Sequence, residues 1–70
     1  MADVFAPMVG KVISIDVKVG DKVKKNDAVA TIEAMKMLVK IFAPVDGEVA
    51  EIKISPDSVV DTSTAVMVLK

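Results

Sequence analysis

Among the 70 residues, the stretch Glu33-Ala34-Met35-Lys36-Met37 holds the side chain with the most usable chemistry. Lys36 stands between two methionines. Apolar, β-favouring runs flank the stretch, Ala28 to Ile32 before it and Leu38 to Phe42 after it. Two such runs with a short connection read as a β-hairpin, which puts Lys36 at or near the tip. A lysine there keeps its carbon stem against the hairpin and its ammonium in water. It is a reachable primary amine on a stiff mount. The plainer reading makes Met35 and Met37 core filler and Lys36 one solvated lysine among nine. The place of the stretch in the chain decides between the two.

Composition narrows the chemistry first. A chain of this length is one domain, residues 1–70, with a barely sufficient core. It has no cysteine, histidine, tryptophan, tyrosine or arginine. The commonest general base, the best metal ligands and the bidentate phosphate binder are therefore missing together. Fourteen valines and six isoleucines favour strands over helices. Nine lysines against ten acids leave a net charge of −1, with the signs interspersed. The basic cluster Lys22, Lys24 and Lys25 lies in a turn-like segment with no aromatic nearby. Nucleic-acid binders usually show a basic face, often with stacking aromatics, so that function is not expected. No apolar run is long enough to span a bilayer and no signal-peptide pattern opens the chain. Direct membrane insertion is not expected, and a cytoplasmic domain is the default.

In chain order, Ala2 to Ala6 reads as a first strand stopped by Pro7, and Pro7 to Gly10 as a turn. From Lys11 to Val19, Ile13, Ile15, Val17 and Val19 alternate with polar residues, predicting one inward and one outward face. Gly20-Asp21 turns the chain and Lys22 to Lys24 forms a brief strand. Asn26-Asp27 turns it again, since asparagine tolerates a left-handed backbone. After the lysine stretch the pattern restarts. Ala6-Pro7-Met8-Val9-Gly10-Lys11-Val12 is echoed by Ala43-Pro44-Val45-Asp46-Gly47-Glu48-Val49, 37 residues on. The echo runs without a gap over 6–33 against 43–70, with eight identities in 28 pairs.

Such a duplication predicts eight short strands in two similar halves about a pseudo-two-fold axis. Neither half can bury its apolar face alone, so the pair makes a small sandwich or flattened barrel. Residues 34–42 join the halves, which sets the hairpin tip and the chain termini at opposite ends. With strands of about six residues the separation is on the order of 20 Å. That is how a carried group would be mounted.

Across essentially its whole length the sequence resembles the biotinyl/lipoyl attachment family, in its biotin carboxyl carrier form. The likeness rests on Ala6-Pro7-Met8, Gly10, Val19-Gly20-Asp21-Lys22-Val23, Glu33-Ala34-Met35-Lys36-Met37, Ala43-Pro44 and Gly47. It implies an all-β fold, a barrel-sandwich hybrid of two four-stranded antiparallel sheets. It also implies covalent biotin on the ε-amine of Lys36, attached by a biotin protein ligase. Glu33, Ala34, Met35 and Met37 are then the candidate residues for recognition by ligase or partner, the methionines by packing under the hairpin or by adaptable apolar contact. The carrier would shuttle a carboxyl group between biotin carboxylase and carboxyltransferase or decarboxylase subunits, and would itself be no enzyme. Gly10, Gly20 and Gly47 read as backbone positions.

The chain departs from the family pattern in having Asn26 and Asp57 where glycine is usual. It also lacks the "thumb" insertion of bacterial acetyl-CoA carboxylase carriers and an Ala/Pro-rich segment upstream. The resemblance is therefore nearer to carriers of transcarboxylases, ion-pumping decarboxylases and pyruvate or acyl-CoA carboxylases, either stand-alone or as a domain of a longer chain. The alternatives are a lipoyl domain, whose tip normally reads Asp-Lys-Ala, and a scaffolding module with an unmodified lysine. An autonomous enzyme would need carboxylates such as Asp21 and Asp57 to act without histidine.

Overall fold

Eight strands account for all the regular structure in the computed structural model, which describes residues 1–70. They are β1 (Ala2–Phe5), β2 (Gly10–Ile15), β3 (Lys22–Val23), β4 (Ala28–Ala34), β5 (Met37–Phe42), β6 (Gly47–Ile52), β7 (Val59–Val60) and β8 (Ala65–Leu69). Two four-stranded sheets form, in the orders β1-β8-β6-β3 and β5-β4-β2-β7, with every pair antiparallel. Adding four to each strand number of one sheet, modulo eight, reproduces the other. This is the expected pseudo-two-fold, and each sheet takes two strands from each half of the chain. The longest connections between strands are the six-residue runs 16–21 and 53–58, so no thumb is inserted. No helix is long and apolar enough to cross a membrane.

The repeat holds at the level of single hydrogen bonds. The Asp16 amide donates to the Val29 carbonyl (2.9 Å) and, 37 residues on, the Lys53 amide donates to that of Val66 (2.9 Å). Gly20 to Val49 (2.8 Å) is matched by Asp57 to Val12 (2.8 Å), a bond that crosses between the halves in the opposite sense. Gly20 and Asp57 both have positive φ, at 96° and 74°, as does Asn26 at 75°. Aspartate and asparagine thus hold left-handed turn positions that glycine would hold more cheaply.

Aliphatic side chains from both sheets make the core, with Val12, Val29, Ile32, Ile41, Val49, Val66, Met67 and Leu69 at its centre. The expected alternation along Lys11–Val19 needs correction here. β2 ends at Ile15, and its register shifts between Val12, opposite Ile32, and Ser14, opposite Thr31. Ile13 is the extra residue of a β-bulge, which reverses the side-chain phase. Val12 is fully buried while Ile13 is 44% exposed; Ile15 and Val17 pack only partly on the core, and Val19 lies exposed in the turn. β6 has its bulge at the equivalent residue, Ala50, between Val49 and Glu51.

The sole buried polar side chain, Thr31, lies on the outer face of its sheet. Lys40 Nζ donates to Thr31 Oγ1 (2.9 Å), which donates to Asp16 Oδ2 (3.2 Å), and Ser14 Oγ donates to Asp16 Oδ1 (2.9 Å). This chain of bonds ties β5, an edge strand, to β4 and to the end of β2. The duplicate of Thr31 is Val68, which is equally buried without any hydrogen bond.

At the turn before β8, the Asp61 carboxylate accepts from Thr64 Oγ1 (2.8 Å) and from the Ser63 amide (2.9 Å). Those two donors, the hydroxyl foremost, hold its pKa below the ordinary 3.8. A depressed folded-state pKa adds stability above the unfolded value and loses it as pH falls through the folded value. Asp61→Asn is therefore expected to lower stability at neutral pH and to flatten the acid limb below about pH 4, where the two proteins converge. Urea midpoints measured across that range check it.

Candidate functional site

β4 and β5 pair along their full length, from Ala28 opposite Phe42 to Ala34 opposite Met37. Only Met35 and Lys36 lie between the strands, with φ of 52° and 64°. Two positive φ values in a two-residue loop are the type I′ pattern, whose twist matches the flanking strands and which asparagine-glycine fills most cheaply. Here a methionine and a lysine occupy it, at a cost of about 1 kcal/mol or more each. The pairing of β4 with both β5 and β2 is what holds them there.

The tip is open. Lys36 is exposed, and its ammonium takes part in no ion pair and no hydrogen bond. Met35 is 89% exposed and Met37 67% exposed, so the expectation that they pack under the hairpin is overturned. A two-residue turn leaves no space beneath it for either thioether. Glu33 is exposed beside the tip, opposite Lys11 on β2 and Leu38 on β5. Ala34 is a further correction. It is only 4% exposed, so its methyl cannot meet a docking partner. Its role is in packing, because β2 comes so near that a Cβ on Gly10 would lie 2.8 Å from the Glu33 carbonyl oxygen and 3.4 Å from the Ala34 Cβ.

Termini and tip lie at opposite poles, as the duplication implied. β5 starts at the tip and ends at Phe42, about 17–20 Å away for six extended residues. Beyond Phe42, the turn at Val45 and Asp46 shares a surface recess with Met1, Ala2, Leu69 and Lys70. The molecule extends 31 Å along its long axis and 19 Å across. Sequence reasoning missed Phe5 and Met8, both exposed at the hairpin pole. Their signal was available, since Phe5 and Phe42, the two aromatics, are exact mates under the 37-residue offset.

A family model described as "biotin-requiring enzyme", for biotin and lipoyl attachment, matches residues 2–69. The chain belongs to the biotinyl/lipoyl attachment family. The biotin carboxyl carrier protein of acetyl-CoA carboxylase from Pyropia yezoensis is 38% identical over 73 aligned residues, covering 94% of this chain and 46% of that protein. The methylmalonyl-CoA decarboxylase gamma subunit of Veillonella parvula is 48% identical over 48 residues, covering 69% of this chain and 37% of the subunit. Among solved structures, the urea carboxylase of Kluyveromyces lactis superposes with a TM-score of 0.92 at 28% identity, over 99% of this chain and 6% of that one. The chain thus spans less than half the length of each of these relatives, and within that span it is a biotinyl domain of the biotin carboxyl carrier type.

Two outcomes are expected from this geometry. Met35→Asn with Lys36→Gly relieves the left-handed strain and raises the melting temperature, by roughly 4–8 °C for each kcal/mol recovered. Gly10→Ala drives a methyl against a backbone oxygen that cannot yield, costing about 1–3 kcal/mol by chemical denaturation.

Proposed function

We propose that Lys36 is the residue that carries biotin in this domain. The observation that bears the reading is the tip itself: an exposed, unpartnered primary amine held on a two-residue turn at the pole farthest from the chain ends. The amine suits the attachment. Losing its proton breaks no contact within the domain, and its lone pair can then form an amide with an activated biotinyl group while the leaving group stays with a biotin protein ligase. The amide removes one positive charge, taking the net from −1 to −2. The lysine stem and the acyl chain together make an arm of about 14 Å. When bound, biotin supplies a ring that accepts a carboxyl group at one active site and releases it at another.

Everything else the chain does is presentation. The strained turn limits the backbone freedom of Lys36, so little entropy is lost when ligase or partner grips it. Exposed Met35 and Met37 offer polarizable, adaptable surface on either side, and Glu33 marks the flank with a negative charge. Bond making falls to the partners, because the chain has no histidine or cysteine and its carboxylates form turns and ion pairs. Relatives named for acetyl-CoA carboxylase and methylmalonyl-CoA decarboxylase support partners that add, remove or transfer a carboxyl group.

Co-expression with a biotin protein ligase is expected to give a single biotinyl adduct by intact mass and a signal on an avidin blot. Lys36→Arg is expected to lose both and to keep its melting temperature within about 3 °C, since an exposed tip residue carries little packing. An adduct that persists in the arginine variant would place the attachment elsewhere.

A further inference from the structure

The 37-residue offset sets charged residue against charged residue at five places: Asp3 with Lys40, Lys11 with Glu48, Asp16 with Lys53, Lys24 with Asp61 and Glu33 with Lys70. In every one the sign is reversed. Apolar mates keep their character: Val12 and Val49, Val29 and Val66, and Ile32 and Leu69 all lie in the core. The two halves are thus alike where they pack and opposite where they are charged. Contacts between the halves use that opposition. Lys40 of β5 lies 3.8 Å from Asp16, just past β2, and Lys11 of β2 lies 3.6 Å from Asp57, just before β7. Lys22 of β3 stands opposite Glu48 of β6. Asp3 and Lys53 hold the places of Lys40 and Asp16 on the other sheet, around Val68 instead of Thr31, without closing an ion pair.

Because the cores match, two copies of the chain have a second way to pair, first half with first half and second with second. β1 of one copy would take the place of β5 beside β4 of the other, and β3 that of β7 beside β2; β5 and β7 would do the same beside β8 and β6. Apolar burial separates the two assemblies poorly. Charge separates them. In the like-with-like assembly Asp3 would meet Asp16, Lys22 would meet Lys11, Lys40 would meet Lys53 and Asp57 would meet Glu48. Each of the four native attractions between halves is replaced by a repulsion. The hairpin does not guard against the exchange. Residues 34–37 would link two modules instead of turning, which relieves the left-handed backbone of Met35 and Lys36 and removes the tip.

We infer that the reversed charges are a pairing code: they make each half accept only its unlike partner, keep two copies from assembling like with like, and so preserve the tip that presents Lys36. Each contact is exposed and weak alone. Discrimination needs only the difference between two assemblies, and the four contacts change sign together while the core contributes to both. The covalent link favours a chain's own halves up to its effective concentration, on the mM scale. Above that the charges decide. The inference does not depend on what Lys36 carries.

The test exchanges charges between the halves of the full chain. Asp3→Lys/Lys40→Asp keeps the composition, the net charge and the core, yet it sets like charges against Lys53 and Asp16 in the native pairing and opposite charges in the like-with-like one. Wild type is expected to refold from urea to monomer even at about 1 mM. The double variant is expected to melt about 4–8 °C lower as a monomer, and at about 1 mM to give a two-chain species by light scattering. In that species nuclear Overhauser contacts are expected from residue 3 to residue 31 and from residue 40 to residue 68, whereas the native register sets Asp3 opposite Val68 and Lys40 opposite Thr31. Adding Asp16→Lys and Lys53→Asp reverses both partners, and is expected to restore the monomer and bring the melting temperature within about 3 °C of wild type. If the double variant does not fold, Lys40→Asp alone and with Asp16→Lys repeats the comparison at one contact, with a loss of about 2–4 °C and its recovery. A double variant that stays monomeric at about 1 mM, a two-chain species that keeps the contact from residue 3 to residue 68, or a reversed set without recovery would each overturn the inference.

Discussion

Each half of this chain pairs only two of its own strands, β2 with β4 and β6 with β8, so neither half completes a four-stranded sheet on its own, and everything else follows from that. β1 and β3 are completed by β6 and β8, while β2 and β4 are flanked by β5 and β7, so each apolar face exists only once the halves interlock. Burial of Val12 and Val49, of Val29 and Val66, and of Ile32 and Leu69 is thus shared between duplicates. With few residues and no cross-links, such a domain depends on the mutual closure of two sheets more than on any single contact. The same closure fixes the two poles, because the pseudo-two-fold that exchanges the sheets also exchanges the hairpin tip with the region of the chain ends.

The strain at the tip is an expense that the closed scaffold makes tolerable. Met35 and Lys36 adopt a backbone suited to asparagine and glycine, and β4, paired on both sides, does not let them relax. The bonds through Thr31 add to this by tying the edge strand β5 to its neighbours. Val68, the duplicate of Thr31, fills the same kind of place without polar partners. The polar version occurs in the sheet that carries the hairpin.

Much of the fold was legible because its signals are local or repetitive. The hairpin showed in two apolar runs around a short polar break, and the turns showed in Gly20, Asn26 and Pro7. Lys36 stood out because the duplication placed it between the halves. The burial of individual side chains was less legible. A period-two pattern put Ile13 inside, but one extra residue in β2 reversed the phase, and a bulge depends on the partner strand rather than on its own sequence. Ala34 was grouped with exposed recognition residues because it lies among them in the chain, whereas alternation across the sheet turns its methyl inward. The methionines had two open readings until the turn proved too short to cover them.

The sequence by itself determined the strand count, the doubled architecture, the hairpin and the amine at its tip, because composition, alternation and an ungapped repeat are properties of the chain read in order. Tertiary structure decided which faces are buried, that Met35 and Lys36 sit in left-handed strain, and which charges of one half lie beside those of the other. Those depend on which strand lies beside which, and on register shifts of a single residue. They are set by contacts between segments tens of residues apart, which no local pattern encodes.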